Sequence, residues 1–333
     1  MKRRVFVLFA GAALVNTSVN AQTPDAQCPA ITSSQRISQD ACQKAIDLFR
    51  YLAPQLGTSI AGGNATLGQG GNLGGLGHFA VGLRVNAVQG SLPQVQTTNI
   101  STSGAVQSTF NTKNQYFPMP TADLAVGIFK GLPLALTNVG GVDLLVSAAY
   151  LPEFNSSGVS VKVPNRSLKL GYGARVGILQ ESLLVPGVSV SYLVRDLPTV
   201  NVAANSGNDS LYVNSLSLKT KAWRMVASKS LILFGLAAGF GQDKYDASTD
   251  ISAHVAARTV PPTSAANAGP VSLAQSLTRT NVFADLSMNL LLFKLTGEIG
   301  QVSGGTINTY NNFSGKQAAD SRIYGSVGAR FGF

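Results

Sequence analysis

From Phe79 onward, apolar residues alternate with polar or small ones at a period of two. Phe79, Val81, Leu83 and Val85 alternate with Ala80, Gly82, Arg84 and Asn86. Leu168, Leu170, Tyr172, Ala174, Val176 and Ile178 alternate with Lys169, Gly171, Gly173 and Arg175. The same pattern occupies 122–128, 142–150, 188–195, 211–227, 231–242, 281–290, 292–303 and 322–333. A period of two predicts strands with one apolar face. The runs reach about 10–13 residues, against about 5–6 for soluble strands and about 9–11 for a tilted strand crossing a bilayer. Short turns near 131–141, 181–187, 228–230 and 290–292 alternate with long polar connections near 92–119, 152–165, 198–210, 245–277 and 304–321. The expected fold is all-β: an antiparallel up-and-down transmembrane β-barrel of about 10 strands, or 12–14 if 93–118 and 245–277 add strands.

The first 78 residues break the pattern. Lys2, Arg3 and Arg4, the apolar run 5–15 and Val19-Asn20-Ala21 read as a signal peptide over 1–21. That apolar run is too short to be a spanning helix. Residues 34–53 have rough helical spacing, with Ser33 or Ser34 as the cap and Pro54 as the stop. Residues 57–77 are dense in glycine and nearly free of charge, which argues against regular helix. They contain no dinucleotide-binding G-x-G-x-x-G after a strand. The expected organisation is therefore a signal peptide (1–21), a periplasmic helix with a plug-like Gly-rich segment (22–78) and the barrel (79–333).

Composition agrees with a wall facing lipid. Charged residues make up only 12% and glycines number 35; soluble domains carry roughly twice that charge fraction. Removing the three signal-peptide cations lowers the formal net charge from +10 to +7. The excess is dispersed with no interleaved aromatics, so a nucleic-acid partner is not expected. Cys28 and Cys42 follow the cleavage site and predict a disulfide in an oxidising compartment. Charge on the lipid face costs roughly 2–4 kcal/mol at midplane, so the strand charges should point inward. Arg84, Asp123, Asp143, Lys169, Arg175, Arg195, Asp285, Lys294, Glu298, Arg322 and Arg330 are the candidate lumen-lining residues. They could pair and fill the lumen, Arg84 with Asp123 for example, or form a gate for anionic or amphipathic solutes.

One strand resists this scheme. Over 216–226 the apolar face runs into Arg224, while Lys219 and Lys221 run into Trp223. A bulge near Ala222 would flip the register and place Trp223 at the periplasmic interface.

No catalytic constellation stands out. The two histidines, His78 and His254, fall at opposite ends of the expected barrel; His254 with Asp243, Asp246 and Asp250 could form a loop site, but reads better as a solvated polar loop. No enzyme activity, metal or cofactor is expected.

The C-terminal face Ile323, Gly325, Val327, Ala329, Phe331 and Phe333 ends on an aromatic residue. With the signal peptide and the alternating segments, this resembles bacterial outer-membrane β-barrel proteins. That resemblance makes Phe331 and Phe333 an assembly signal, and implies outer-membrane lipids and the barrel-assembly machinery as partners. An N-terminal segment ahead of the barrel is also loosely similar to the long-chain fatty-acid transporter family, in which a plug enters the lumen. The functional expectation is a transporter or narrow channel for a small hydrophobic or anionic solute. The alternative is a structural or surface-interaction barrel with no open pore.

Overall fold

The computed structural model describes residues 23–156, 159–165, 167–290 and 293–332. The expected signal peptide and Phe333 lie outside them.

Ten strands close into an antiparallel ring: β1 (Phe79–Pro93), β2 (Thr112–Phe129), β3 (Gly141–Tyr150), β4 (Leu168–Leu179), β5 (Gly187–Asp196), β6 (Asp209–Ser230), β7 (Phe234–Val255), β8 (Ala266–Leu290), β9 (Phe293–Ser303) and β10 (Arg322–Gly332). Each pairs with its sequence neighbours, and β10 returns to β1 with Ala80 opposite Gly332 and Val88 opposite Tyr324. The segments at 245–277 lengthen β7 and β8 rather than adding strands to the ring.

The ring has two zones. Near the short turns, apolar side chains point outward: Leu83, Leu144, Tyr172, Leu286, Ile299 and Val327 are all exposed, and polar ones point inward. Near the long loops, the faces of β6, β7 and β8 exchange character. Inward Leu218, Tyr245, Ile251 and Leu277 join an apolar core, while outward Lys219, Lys221, Lys244 and Asp246 form exposed ion pairs. This exchange corrects the expected bulge near Ala222. The β6–β7 register runs unbroken from Ser217 to Ser230, and its irregularity lies between Asn214 and Ser217. Arg224 therefore points inward and is 2% exposed. Trp223 points outward at the boundary between the zones, on the long-loop side, with its ring edge-on to Phe240.

Helix α1 (Ser33–Ala61) fills the upper lumen. Its cap is Thr32: the side chain accepts from the Gln35 N–H, and the Gln35 side chain accepts from the Thr32 N–H, a reciprocal capping box. Pro54 does not stop it, contrary to expectation. Proline removes one N–H from the helical ladder, and packing of Ile46, Phe49, Tyr51 and Ala53 against the wall offsets that loss. The helix begins beside the long loops, where Asp40 and Asp47 accept from Ser101, Val106, Tyr310 and Asn311. It ends at mid-lumen, where the Ser59 carbonyl accepts from Asn86. The helix thus lies toward the long loops, and the chain after it runs toward the short turns, where Gly70 and Gly71 lie against Gly187 and Ser228. The Cys28–Cys42 disulfide is formed and staples the preceding turn to the helix.

Candidate functional site: the occupied lumen and a side cavity

After α1, residues 62–78 descend through the lower lumen to the start of β1. Little room remains there. A Cβ on Gly63 would collide with the Glu298 carboxylate, and one on Gly70 would lie 2.6 Å from the Ser228 nitrogen. Glycine is the residue that lets a backbone approach a wall this closely.

The inward charges bind this strap. Arg84 pairs with Asp123 at 2.9 Å and donates to the Asn64 carbonyl at 2.9 Å. Arg195 donates to the Ala61 carbonyl at 2.6 Å and contacts the same Asp123. Arg175 pairs with Asp143 at 2.7 Å and also reaches the Thr66 hydroxyl. Both Asp143 oxygens accept from the Leu73 N–H at 3.2 Å. Asp285 accepts from Asn64 Nδ2 and the Gly68 N–H, both at 3.0 Å. Glu298 accepts from the Asn64 N–H at 2.8 Å. Lys294 donates to the Gly68 carbonyl and Arg330 to the Gln69 side chain. Arg322 lies over the Tyr51 ring.

Lys169 stands apart from the other predicted lumen residues. It has their inward parity, opposite buried Ala149, but lies near the open end of β4 and is exposed. Sequence reasoning missed four groups that belong with the set. Arg224 pairs with Asp243 and donates to the Gly62 carbonyl. Asn281 donates to the same carbonyl and to Asp243. Arg279 donates to the Ala319 and Asp320 carbonyls of the last long loop. The missed signal was the length of β6 to β8, whose upper halves reverse the face rule.

A second feature lies in the wall. β2 pairs with β3 only from Thr121 downward, so among the described residues Thr112–Pro120 has β1 as its sole strand neighbour. Pro118 and Pro120, which have no N–H to offer, sit in that stretch. β1 likewise outruns β10 above Val88, and there Gln55 of α1 accepts from the Ser91 N–H at 2.7 Å and donates to its carbonyl at 3.2 Å. Behind the free edge is a cavity of about 360 Å³. Leu52 and Leu56 of α1, Leu92, Phe117 and Met119 line one side. Leu151, just past the end of β3, and Val159, Val161, Val200 and Val202, from short strands added to the edge of β6, line the other. An outer groove beneath it runs over Leu83, Pro120, Ala122, Ala148, Tyr150 and Leu168.

Among the described residues, no cluster of three or more His, Cys, Asp or Glu is placed to hold a metal ion. His254 contacts Asn267 at 2.8 Å.

No protein-family model and no curated protein matches the chain. Solved structures similar to it include Ail, the attachment invasion locus protein of Yersinia pestis, at 8% identity and TM-score 0.26, covering 78% of this chain and 99% of that one. OmpT, an outer membrane protein of Vibrio cholerae, aligns at 10% identity and TM-score 0.20, covering 83% and 100%. An anion-selective porin from Comamonas acidovorans aligns at 9% and 0.18, covering 77% and 98%. The fold assignment rests on the closed ring of strand pairings.

Proposed function

We propose that this chain is a bacterial outer-membrane barrel that takes up a small hydrophobic molecule from the side, at the cavity between α1 and the free edge of β2. The apolar outer zone would sit in lipid, the short turns in the periplasm and the long loops outside, the arrangement usual for such barrels. The observation that carries the ligand reading is the cavity. Its 360 Å³ volume falls in the range of about 300–1,000 Å³ typical of ligand pockets. Its lining is mainly apolar, with Gln55, Ser59 and Gln115 as the polar members, and the groove below it connects in sequence at Met119–Pro120 and Tyr150–Leu151.

An anionic solute is less well supported, because Arg84, Arg175, Arg195 and Arg224 are engaged by carboxylates and the strap, and Lys294 by a strap carbonyl. The filled lumen favours a second reading, a sealed barrel that serves as an anchor or surface platform. Binding of a dansyl-labelled fatty acid to the barrel in nanodiscs separates the two. Saturable binding that weakens at least tenfold in Leu56→Trp, with Ile299→Ala unchanged, supports the cavity. Absent saturation, or equal binding in Leu56→Trp, leaves the sealed platform.

A further inference from the structure

Asn64 is held in an unusual way for a residue in a lumen strap. It is 2% exposed; three of its polar groups meet charged side chains of the wall, while within the strap Nδ2 also donates to the Gln69 carbonyl and Oδ1 accepts from the Thr66 N–H, both at 3.1 Å. Its side-chain Nδ2 donates to Asp285 Oδ2 at 3.0 Å. Its own carbonyl oxygen accepts from Arg84 Nη1 at 2.9 Å. Its N–H donates to Glu298 at 2.8 Å. Asp285 lies directly across the β8–β9 ladder from Glu298, so two buried carboxyl groups meet at the site. The chain is clamped on both sides: the Gly62 carbonyl by Arg224 and Asn281, and Thr66 by Arg175.

An asparagine amide nitrogen beside a carboxylate, with the following carbonyl polarised by a guanidinium, is set up for one intramolecular reaction. We propose that the assembled barrel cuts its own chain between Asn64 and Ala65 by asparagine cyclisation. Asp285 takes a proton from Nδ2, and the nitrogen attacks the Asn64 carbonyl carbon. Arg84 stabilises the charge that develops on the oxygen. The bond to the Ala65 nitrogen breaks, and the proton passes to that nitrogen as it leaves. The products are a C-terminal succinimide on residue 64 and a free amine on Ala65. No oxidant, metal or outside nucleophile is consumed. A cavity of about 20 Å³ beside Ala65, Arg84 and Asp123 is large enough for one water, which can relay the proton and later open the imide. Hydrogen bonds on both sides of the scissile bond restrict the freedom of the attacking and attacked atoms, one source of rate in an intramolecular reaction.

The cut has a structural consequence. Cys28 and Cys42 both precede Asn64, so the disulfide would not tether α1 to the barrel afterwards. The helix could then withdraw toward the long-loop end, while residues 65–78 stay attached to β1. This is a single-turnover step, and it stands independently of the cavity ligand.

Intact-mass analysis and N-terminal sequencing of the membrane-assembled full chain test it. The expected result is a barrel fragment starting at Ala65, and an N-terminal fragment ending at residue 64 and lighter by one water than a hydrolysis product. Hydroxylamine should convert that end to a hydroxamate. Asp285→Asn should slow the cut by about 100-fold or more, the scale of a lost general base. Asn64→Gln should nearly abolish it, since the longer side chain must close a six-membered ring, and this variant keeps every wall residue in place if Asp285→Asn fails to assemble. Chain unfolded in urea should stay whole. A heat-modifiable, assembled wild-type barrel that remains uncut over days, a cut at another bond, or equal cutting in Asn64→Gln overturns the proposal.

Discussion

Asp143→Ala should loosen the strap while leaving the ring of strands in place. Asp143 is fully buried. Its carboxylate accepts from Arg175 Nε at 2.9 Å and Nη2 at 2.7 Å, and from the Leu73 N–H at 3.2 Å. Removing it leaves a buried guanidinium without its counter-charge and a strap N–H without an acceptor. Breaking one side of a buried pair costs about 3–5 kcal/mol, and an orphaned buried N–H about 1–3 kcal/mol. The strap can move to admit water to Leu73, so the stranded arginine sets the scale, about 3–5 kcal/mol. The ladder between β3 and its neighbours uses backbone groups only and survives. The expected outcome is faster proteolysis within 66–73 and a lower unfolding temperature, with heat-modifiable migration retained. The double change Asp143→Leu with Arg175→Met removes both charges and should recover most of the loss, because replacing a buried pair by apolar groups is often neutral. Unchanged proteolysis and unfolding in Asp143→Ala would show that the pair does not hold the strap.

Two further outcomes follow from the zoning and from one buried acid. Trp223 is the only tryptophan in the chain, so its quenching by brominated lipids should be strongest for labels near the headgroups and weak for labels at the chain ends; maximal quenching at midplane would refute the boundary placement. Burial raises the Asp47 carboxyl from its ordinary value, with hydrogen bonds from Asn311 and Tyr310 opposing the shift. A raised folded value means its contribution is fully present below the unfolded value and is lost as pH rises through the folded one. The fold as a whole should therefore gain stability on acidification from neutral pH by an increment that Asp47→Asn removes, read as the difference in unfolding temperature between wild type and variant across that pH range; a pH dependence identical in the two proteins would contradict it.

Much of the barrel was legible because its code is local. Alternation along each strand and the short-long rhythm of connections need no knowledge of partners, and they gave ten strands in the right order. The disulfide was equally accessible, since only two cysteines exist. The misreading of β6 has one physical origin: the rule of an apolar outer face holds only near the short turns. Toward the long loops, β6 to β8 carry charged side chains outward and pack against α1 inward, so Leu218 turns in and Lys219 turns out. Arg224 then looks misplaced in the sequence, although it never changes face.

The strap was harder to read for a different reason. Its partners on the wall are charged side chains, but on the strap they are mainly backbone atoms: the carbonyls of Ala61, Gly62, Asn64 and Gly68, and the N–H groups of Gly68 and Leu73. A backbone donor or acceptor leaves no mark in the residue code. What does leave a mark is the space. The lower lumen already holds several arginines and four carboxylates from the wall, so the segment crossing it can be little thicker than a bare backbone. The glycine density of 57–77 follows from that crowding. A strap chosen for mobility would have no need to place Asn64, Thr66 and Gln69 at the points where wall charges reach in. Those three polar residues among the glycines therefore indicate a segment built to be held in one position.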